Sequence, residues 1–370
     1  MQVGINYPWL RCGWDFGAPP PGYGPRPALD DVVARDFARL RGCGVRIVRW
    51  FVMADGFNHG RAADAPRREG RGWRFAAVDL APAFLADFEQ LLVLCERAQL
   101  QLLPVLLDFH WAFPGLDRHT RDAATLELWD RTPRSAGTRA VRLHAARARA
   151  ARLPEGFVKG GRGEVLRDAS ESARFFERVL VPLLEVSRRH AHAVYAWELI
   201  NEPEWIVRPT GLPRGLDRRD RIDARSMRGF LRSGLALIAE HGFTPTVGFA
   251  SARALRRWDS PRRPLGLGLN QIHYYPPSPL ARLPRAQFAN GRPALLGELA
   301  SHASSPRAWP DLPAARQDIA ARLELARARG YEAALIWSYR ATDRATDPNR
   351  DVIEAGIERF VSLDGAGRLS

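Results

Sequence analysis

The sequence predicts an α/β fold: a single (β/α)8 TIM barrel with a long insertion after the third strand. Two observations carry this reading. Eight short apolar runs alternate with longer stretches of helical periodicity, the pattern of parallel strands joined by right-handed crossovers. No glycine-rich phosphate loop follows the first run, which counts against the alternative, a doubly wound open sheet.

Residues 3–6, V-G-I-N, are the first predicted strand, followed by an aromatic, Pro/Gly-rich loop with Trp9, Trp14 and Pro19-Pro20-Pro21. Residues 29–41 place Val32, Val33, Phe37 and Leu40 at helical spacing and stop near Gly42 and Gly44. The β-branched run V-R-I-V-R-W-F at 45–51 is the second strand, and a polar loop with Asp55, Asn58 and His59 follows it. A helix over 80–98 carries Phe84, Phe88, Leu91, Leu92 and Cys95 on a core face. Residues 102–107 form the third strand, ending in Asp108-Phe109-His110-Trp111, and the irregular stretch from about 112 to 167 is the insertion. A helix over 170–189 leads to the fourth strand, V-Y-A-W-E-L-I-N-E from 194, which Pro203 ends because proline lacks the N–H that a central strand donates. Further helices are expected over 224–241, 252–258, 314–329 and 352–361, with strands over 246–249, 267–274, 293–299 and 334–337.

A chain of 370 residues is long for one domain, but barrels with loop insertions reach that size. No linker or short-period repeat divides it, so one domain over 1–370 is expected. The net charge of +14 suggests an acidic partner at first sight. Yet Lys159 is the only lysine, so arginine supplies the excess, as compositional bias in a GC-rich genome would; no nucleic-acid module is present, and no nucleic-acid partner is expected. Cys12, Cys43 and Cys95 match neither a disulfide framework nor metal-ligand spacing, so no metal or other cofactor is expected. Strand-like sequence begins at Val3, without a signal peptide or an apolar membrane run. A cytoplasmic protein with no membrane partner is the expectation; the sequence does not indicate an oligomeric state.

The chemistry lies at two strand ends. Glu202 closes the fourth run in Asn201-Glu202-Pro203, and Glu298 closes the seventh, P-A-L-L-G-E-L. Two glutamates far apart in sequence, both at the carboxyl ends of buried strands, suit glycoside cleavage. One protonates the leaving oxygen while the other attacks or stabilises the sugar cation. Glu198, four residues before Glu202 and on the same strand face, is read as an interior carboxylate paired with an arginine; Glu204, beyond the strand, is read as a loop or subsite residue.

In these motifs the chain resembles clan A of the glycoside hydrolases, most closely glycoside hydrolase family 5, the cellulase and mannanase group. The resemblance implies Glu202 as acid/base and Glu298 as nucleophile. It also implies Arg49 at the end of strand two, His110 in Asp-x-His at strand three, Asn201 beside the acid, His273 and Tyr275 in the His-x-Tyr of strand six, and Trp337 at strand eight. All eight occur in chain order, and the ordered set is far more specific than any member. Arg49 and Tyr275 would donate hydrogen bonds that keep Glu298 ionised, Asn201 would bond the sugar 2-hydroxyl, and Trp337 would offer a flat apolar face. Trp111 and Trp205, also at strand ends, are added as sugar-binding candidates, although aromatics commonly just fill barrel mouths.

The expected function is thus retaining hydrolysis of β-linked glucosides or mannosides, with a carbohydrate as the only partner. A sugar-binding barrel without turnover and a transglycosylase on the same core are the alternatives. The insertion, with Arg134, Arg139, Arg142, Arg147, Arg149 and Arg152 among alanines, reads as a solvated charge run, or as a lid or oligomer contact that narrows the cleft. A lid would favour short or exo-cleaved substrates.

Overall fold

The computed structural model describes residues 1–8, 15–17, 29–53, 67–69, 72–74, 80, 82–112, 163–207, 221–275, 282–300, 312–339 and 350–367. Eight parallel strands form its centre: β1 (Gln2–Asn6), β2 (Ile47–Met53), β3 (Gln101–Asp108), β4 (Trp197–Asn201), β5 (Pro245–Gly248), β6 (Asn270–Tyr274), β7 (Ala294–Ala300) and β8 (Ala333–Trp337). They are hydrogen-bonded in the order β5-β4-β3-β2-β1-β8-β7-β6. A parallel bridge between Phe249 and Ile272 joins the two edges, with the His273 N–H donating to the Phe249 carbonyl at 2.8 Å. The expected barrel is therefore the observed one.

Alternation along each strand sorts the side chains into an inside and an outside. Outward residues such as Val48, Trp50, Leu102, Leu106, Leu199 and Leu296 belong to the large core between strands and helices. Inward residues begin, at the amino ends, with a small apolar layer of Ile47, Leu103, Ala196, Leu269, Leu295, Ala333 and Leu335. Above it the interior turns polar, and register decides which groups meet. Asn6 pairs with Arg49, Asn201 with both Asp108 and Gly248, and His273 with Glu298.

The register shifts between Ile272 and His273 against β7, and between Ala334 and Ile336 where β8 meets β7. Both irregularities flank Gly297, so β7 bends immediately before Glu298, a local device that re-aims a side chain. A Cβ at Gly297 would stand 2.3 Å from Gln271 Nε2, so glycine is needed for this close approach.

The helices follow the expected apolar faces within a few residues: Leu29–Gly42, Pro82–Ala98, Ala224–Glu240, Ala252–Trp258, Leu312–Ala328 and Arg350–Gly367. Side-chain caps start several. Asp223 accepts from the N–H groups of Arg225 and Ser226, and Ser251 from that of Ala254. Three features differ from the sequence expectation. The helix before β4 runs as Ala169–Phe175, a π-helical turn Phe176–Leu180 and Val181–Arg189. A small antiparallel hairpin, Arg67–Glu69 with Gly72–Arg74, lies in the β2 loop, where no strand was expected. β4 is also shorter than read, since before Trp197 only Val194 makes a bridge, to Leu102. Cys43 and Cys95 are free and buried. Among the described residues no helix is long and apolar enough to cross a membrane. Trp9, Trp14, Cys12, Asp55, Asn58, His59 and the arginine-rich part of the insertion lie outside the described residues.

Candidate active site

The site is built on one buried guanidinium. Arg49 points into the barrel from the middle of β2 and is fully buried, so every N–H it carries needs a protein acceptor. It finds five. Nε and Nη2 grip the two oxygens of Glu198 at 2.7 Å each, Nη2 also reaches Asn201 Oδ1 at 2.8 Å, and Nη1 reaches Asn6 Oδ1 at 2.8 Å and Glu298 Oε1 at 2.6 Å. Burial alone would weaken its hold on the proton, but the charges of Glu198 and Glu298 outweigh that and raise its pKa. Gln271 completes the Glu198 shell, donating to Oε2 at 2.7 Å. Glu198 is thus the arginine-paired interior carboxylate that its strand position implied.

Glu298 is 4 % exposed and engaged at both oxygens. Arg49 holds Oε1, and the Tyr275 hydroxyl, from one residue beyond β6, donates to Oε2. Tyr275 is 36 % exposed as a residue, yet its hydroxyl end is desolvated against Glu298, and burial together with that carboxylate raises its pKa well above the usual value. Tyr275 therefore stays a donor. Two donors, one of them cationic, fix the position of this carboxylate.

Glu202 faces it from the first residue after β4. Its backbone is left-handed, with φ 45° and ψ 49°, a conformation uncommon for a residue with a side chain and a frequent companion of functional sites. The turn is held there: the Glu202 N–H donates to the Gly248 carbonyl at 2.6 Å, and Pro203–Ile206 continue as a 3-10 turn. Glu202 Oε1 lies 2.7 Å from His273 Nδ1, and Oε2 accepts from Trp205 Nε1 at 2.8 Å. Burial acts to lower the pKa of His273, but Glu298 and Glu202 outweigh it and raise the value, favouring imidazolium. His273 Nδ1 is also 3.7 Å from Glu298 Oε2, so this ring stands between the two carboxylates.

A carboxylate oxygen of Glu202, one of Glu298 and a ring nitrogen of His273 all lie within 4.8 Å of one another. Three such ligands can in principle hold a cation. Here Arg49 already occupies Glu298 Oε1, so a divalent ion would meet a fixed positive neighbour. The arrangement suits proton transfer and nucleophilic attack better.

Arg49, from the middle of β2, thus meets Asn201, Glu202, His273, Tyr275 and Glu298 from at or near the carboxyl ends of their strands. Trp337, at the end of β8, is part-buried and packs edge-on to Phe51, with ring centroids 6.4 Å apart. His110 is in the short 3-10 turn Phe109–Ala112 directly after β3; its side chain lies outside what the structure describes. Trp205 is at the site, bonding Glu202 through its indole N–H. Trp111 is a correction. It is fully buried, its N–H donates to the Met53 carbonyl at 2.6 Å, and its ring meets Phe175, so neither face is open to a sugar.

Three site residues escaped the sequence reading. Asn6 supplies an acceptor to Arg49 and donates to the Gly297 carbonyl at 2.9 Å, tying β1 to the bend before Glu298. Asp108 accepts from Asn201 Nδ2 at 2.8 Å and orients that amide. Gln271 braces Glu198. Their signal, polar residues on the inward face of otherwise apolar strands, was legible in the sequence.

No protein-family model matches the sequence, and no curated protein does either. Solved structures do. The endo-1,4-beta-mannanase from Eisenia fetida superposes with a TM-score of 0.60 at 19 % identity, over 97 % of this chain and 90 % of that one. The beta-mannanase from the blue mussel Mytilus edulis gives 0.59 at 16 %, over 98 % and 91 %. An exo-beta-1,4-mannosidase from Opitutaceae bacterium strain TAV5 gives 0.55 at 16 %, over 99 % of this chain and 59 % of that one. At these identities the likeness establishes a shared fold.

Proposed function

We propose that this chain is a β-glycoside hydrolase of the clan A, family 5 type, cleaving β-linked mannosides or glucosides by double displacement. Glu298 attacks the anomeric carbon while Glu202 protonates the departing glycosidic oxygen, so the C–O bond breaks as a glycosyl–Glu298 ester forms. Glu202, now ionised, takes a proton from water, whose oxygen replaces Glu298 at the same carbon and restores both glutamates. The observation that carries this reading is the separation of the carboxylates, with one oxygen of each within 4.8 Å. Retaining enzymes keep the pair at about 5–5.5 Å, whereas inverting ones need about 6.5–9.5 Å to seat a water.

The surroundings support the division of labour. Arg49 and Tyr275 hold both oxygens of Glu298 and aim it into the cleft. Asn201 is pinned by Arg49 and Asp108, leaving one amide hydrogen for a sugar hydroxyl, and Trp337 can offer a ring face. The mannose preference rests on the shared fold with enzymes named as mannanases and a mannosidase, together with the ordered motif in the sequence. The test is a screen of aryl β-mannosides, aryl β-glucosides and β-1,4-linked manno- and gluco-oligosaccharides, with product analysis. Release of mannose or short manno-oligosaccharides is expected; inactivity across the whole set would refute the assignment.

A further inference from the structure

Beyond the two glutamates, a third carboxyl group stands in the turn that follows Glu202. We infer that Glu204 is a positioning residue for Glu202: it latches the turn after β4 onto the mouth of β5 and does so as a neutral carboxylic acid. The inference rests on the glycosidase reading above.

The geometry is specific. Glu204 lies in the 3-10 turn Pro203–Ile206, two residues beyond the left-handed Glu202. Its Oε1 accepts from the Ala250 N–H at 2.6 Å, which ties the turn to the backbone just past β5. That bond lies beside the one from the Glu202 N–H to the Gly248 carbonyl, so the turn is fastened to the same strand end twice. The residue as a whole is part-buried, but its Oε2 is buried and has no hydrogen-bond partner among the described residues.

An ionised carboxylate there would leave one oxygen desolvated beside a second acid, an arrangement that favours the protonated form. Burial first and the charge of Glu202 second push the Glu204 pKa up to about 8, opposed by its own backbone N–H, by the Ala250 N–H and by the charge of His273 on β6. Those are the charged and donor groups that face it among the described residues. At neutral pH the latch therefore adds no like charge beside Glu202, which is free to cycle between its protonated and ionised forms. The same turn carries Trp205, whose indole N–H holds Glu202 Oε2, so loosening it would disturb both ends of the acid/base.

Glu204→Gln and Glu204→Ala test this on the full chain. Glutamine is the isostere of the neutral acid and keeps an acceptor for the Ala250 N–H; alanine removes the latch. The Tm of E204Q minus that of the wild type should be near zero at pH 5 and grow positive by a few degrees at pH 8.5, because only the wild type must hold a proton in the folded state. On an unactivated β-mannoside, E204A should lose roughly tenfold or more in kcat, with less loss on an activated aryl glycoside and little change in KM. E204Q should recover most of that loss. An active wild type with a pH-independent Tm difference, or an E204A defect equal on both substrates, would overturn the role alone. A wild type inactive on both substrates would overturn the glycosidase reading and this role with it. Should E204A fail to fold, the Tm comparison and the leaving-group dependence of E204Q still decide: a flat Tm difference or a new leaving-group defect overturns the proposal.

Discussion

Arg49 shows at the level of one side chain why the site is rigid. A planar guanidinium with five fixed donors meets five acceptor atoms on four residues from three strands, a match that lysine cannot reproduce. Arg49→Lys should therefore lower stability by about 3–5 kcal/mol, the cost of breaking a buried charge pair, measured by chemical denaturation. A loss below 1 kcal/mol would mean that the network contributes little. At the two glutamates the expected losses differ in kind. Glu298→Gln should reduce kcat by at least about 10³-fold on every substrate, since no other group can form the ester. Glu202→Ala should lose about 10²–10⁴-fold on poor leaving groups and far less on activated aryl glycosides, which scarcely need an acid. Equal losses on both substrate types would remove Glu202 from the acid role.

At the level of elements, two close approaches set the network's height in the barrel. A Cβ on Gly248 would stand 2.3 Å from Glu198 Oε1 and 3.0 Å from His273 Nε2. Gly248→Ala should accordingly cost about 1–3 kcal/mol in unfolding free energy, as overpacking does, and lower kcat as well. An unchanged Tm and kcat would show that β5 yields easily. The strands themselves were legible in the sequence, because a buried parallel strand is an unbroken apolar run and Pro203 punctuates β4. The polar partners were harder to see. Arg49 and Glu198 are 149 residues apart, and only closure of the barrel tells which inward residues share a layer. The left-handed backbone of Glu202 was equally hidden, since no glycine marks it; it is imposed by bonds to β5. The π-helical turn at Phe176–Leu180 breaks no apolar spacing, so periodicity alone reads straight through it.

On the scale of the whole molecule, two buried groups link the site to pH. Glu204 has a raised pKa, so folding retains its proton, and stability falls as pH climbs from the ordinary carboxylate value through about 8. His273 is also raised; its contribution is full below the unfolded histidine value and is lost as pH rises through the folded one. Both act in one direction. Replacing both as Glu204→Gln and His273→Gln should flatten the decline in Tm between pH 5 and 8.5, and a decline as steep as that of the wild type would contradict the linkage. The barrel places all of these groups at the carboxyl ends of its strands, and the central claim concerns what happens between Glu202 and Glu298. Proton NMR of the first sugar released from a β-1,4-linked manno-oligosaccharide tests it most directly, before mutarotation mixes the anomers. The double displacement argued here predicts the β-anomer first; an α-anomer would mean inversion, and Glu298 could not be the nucleophile.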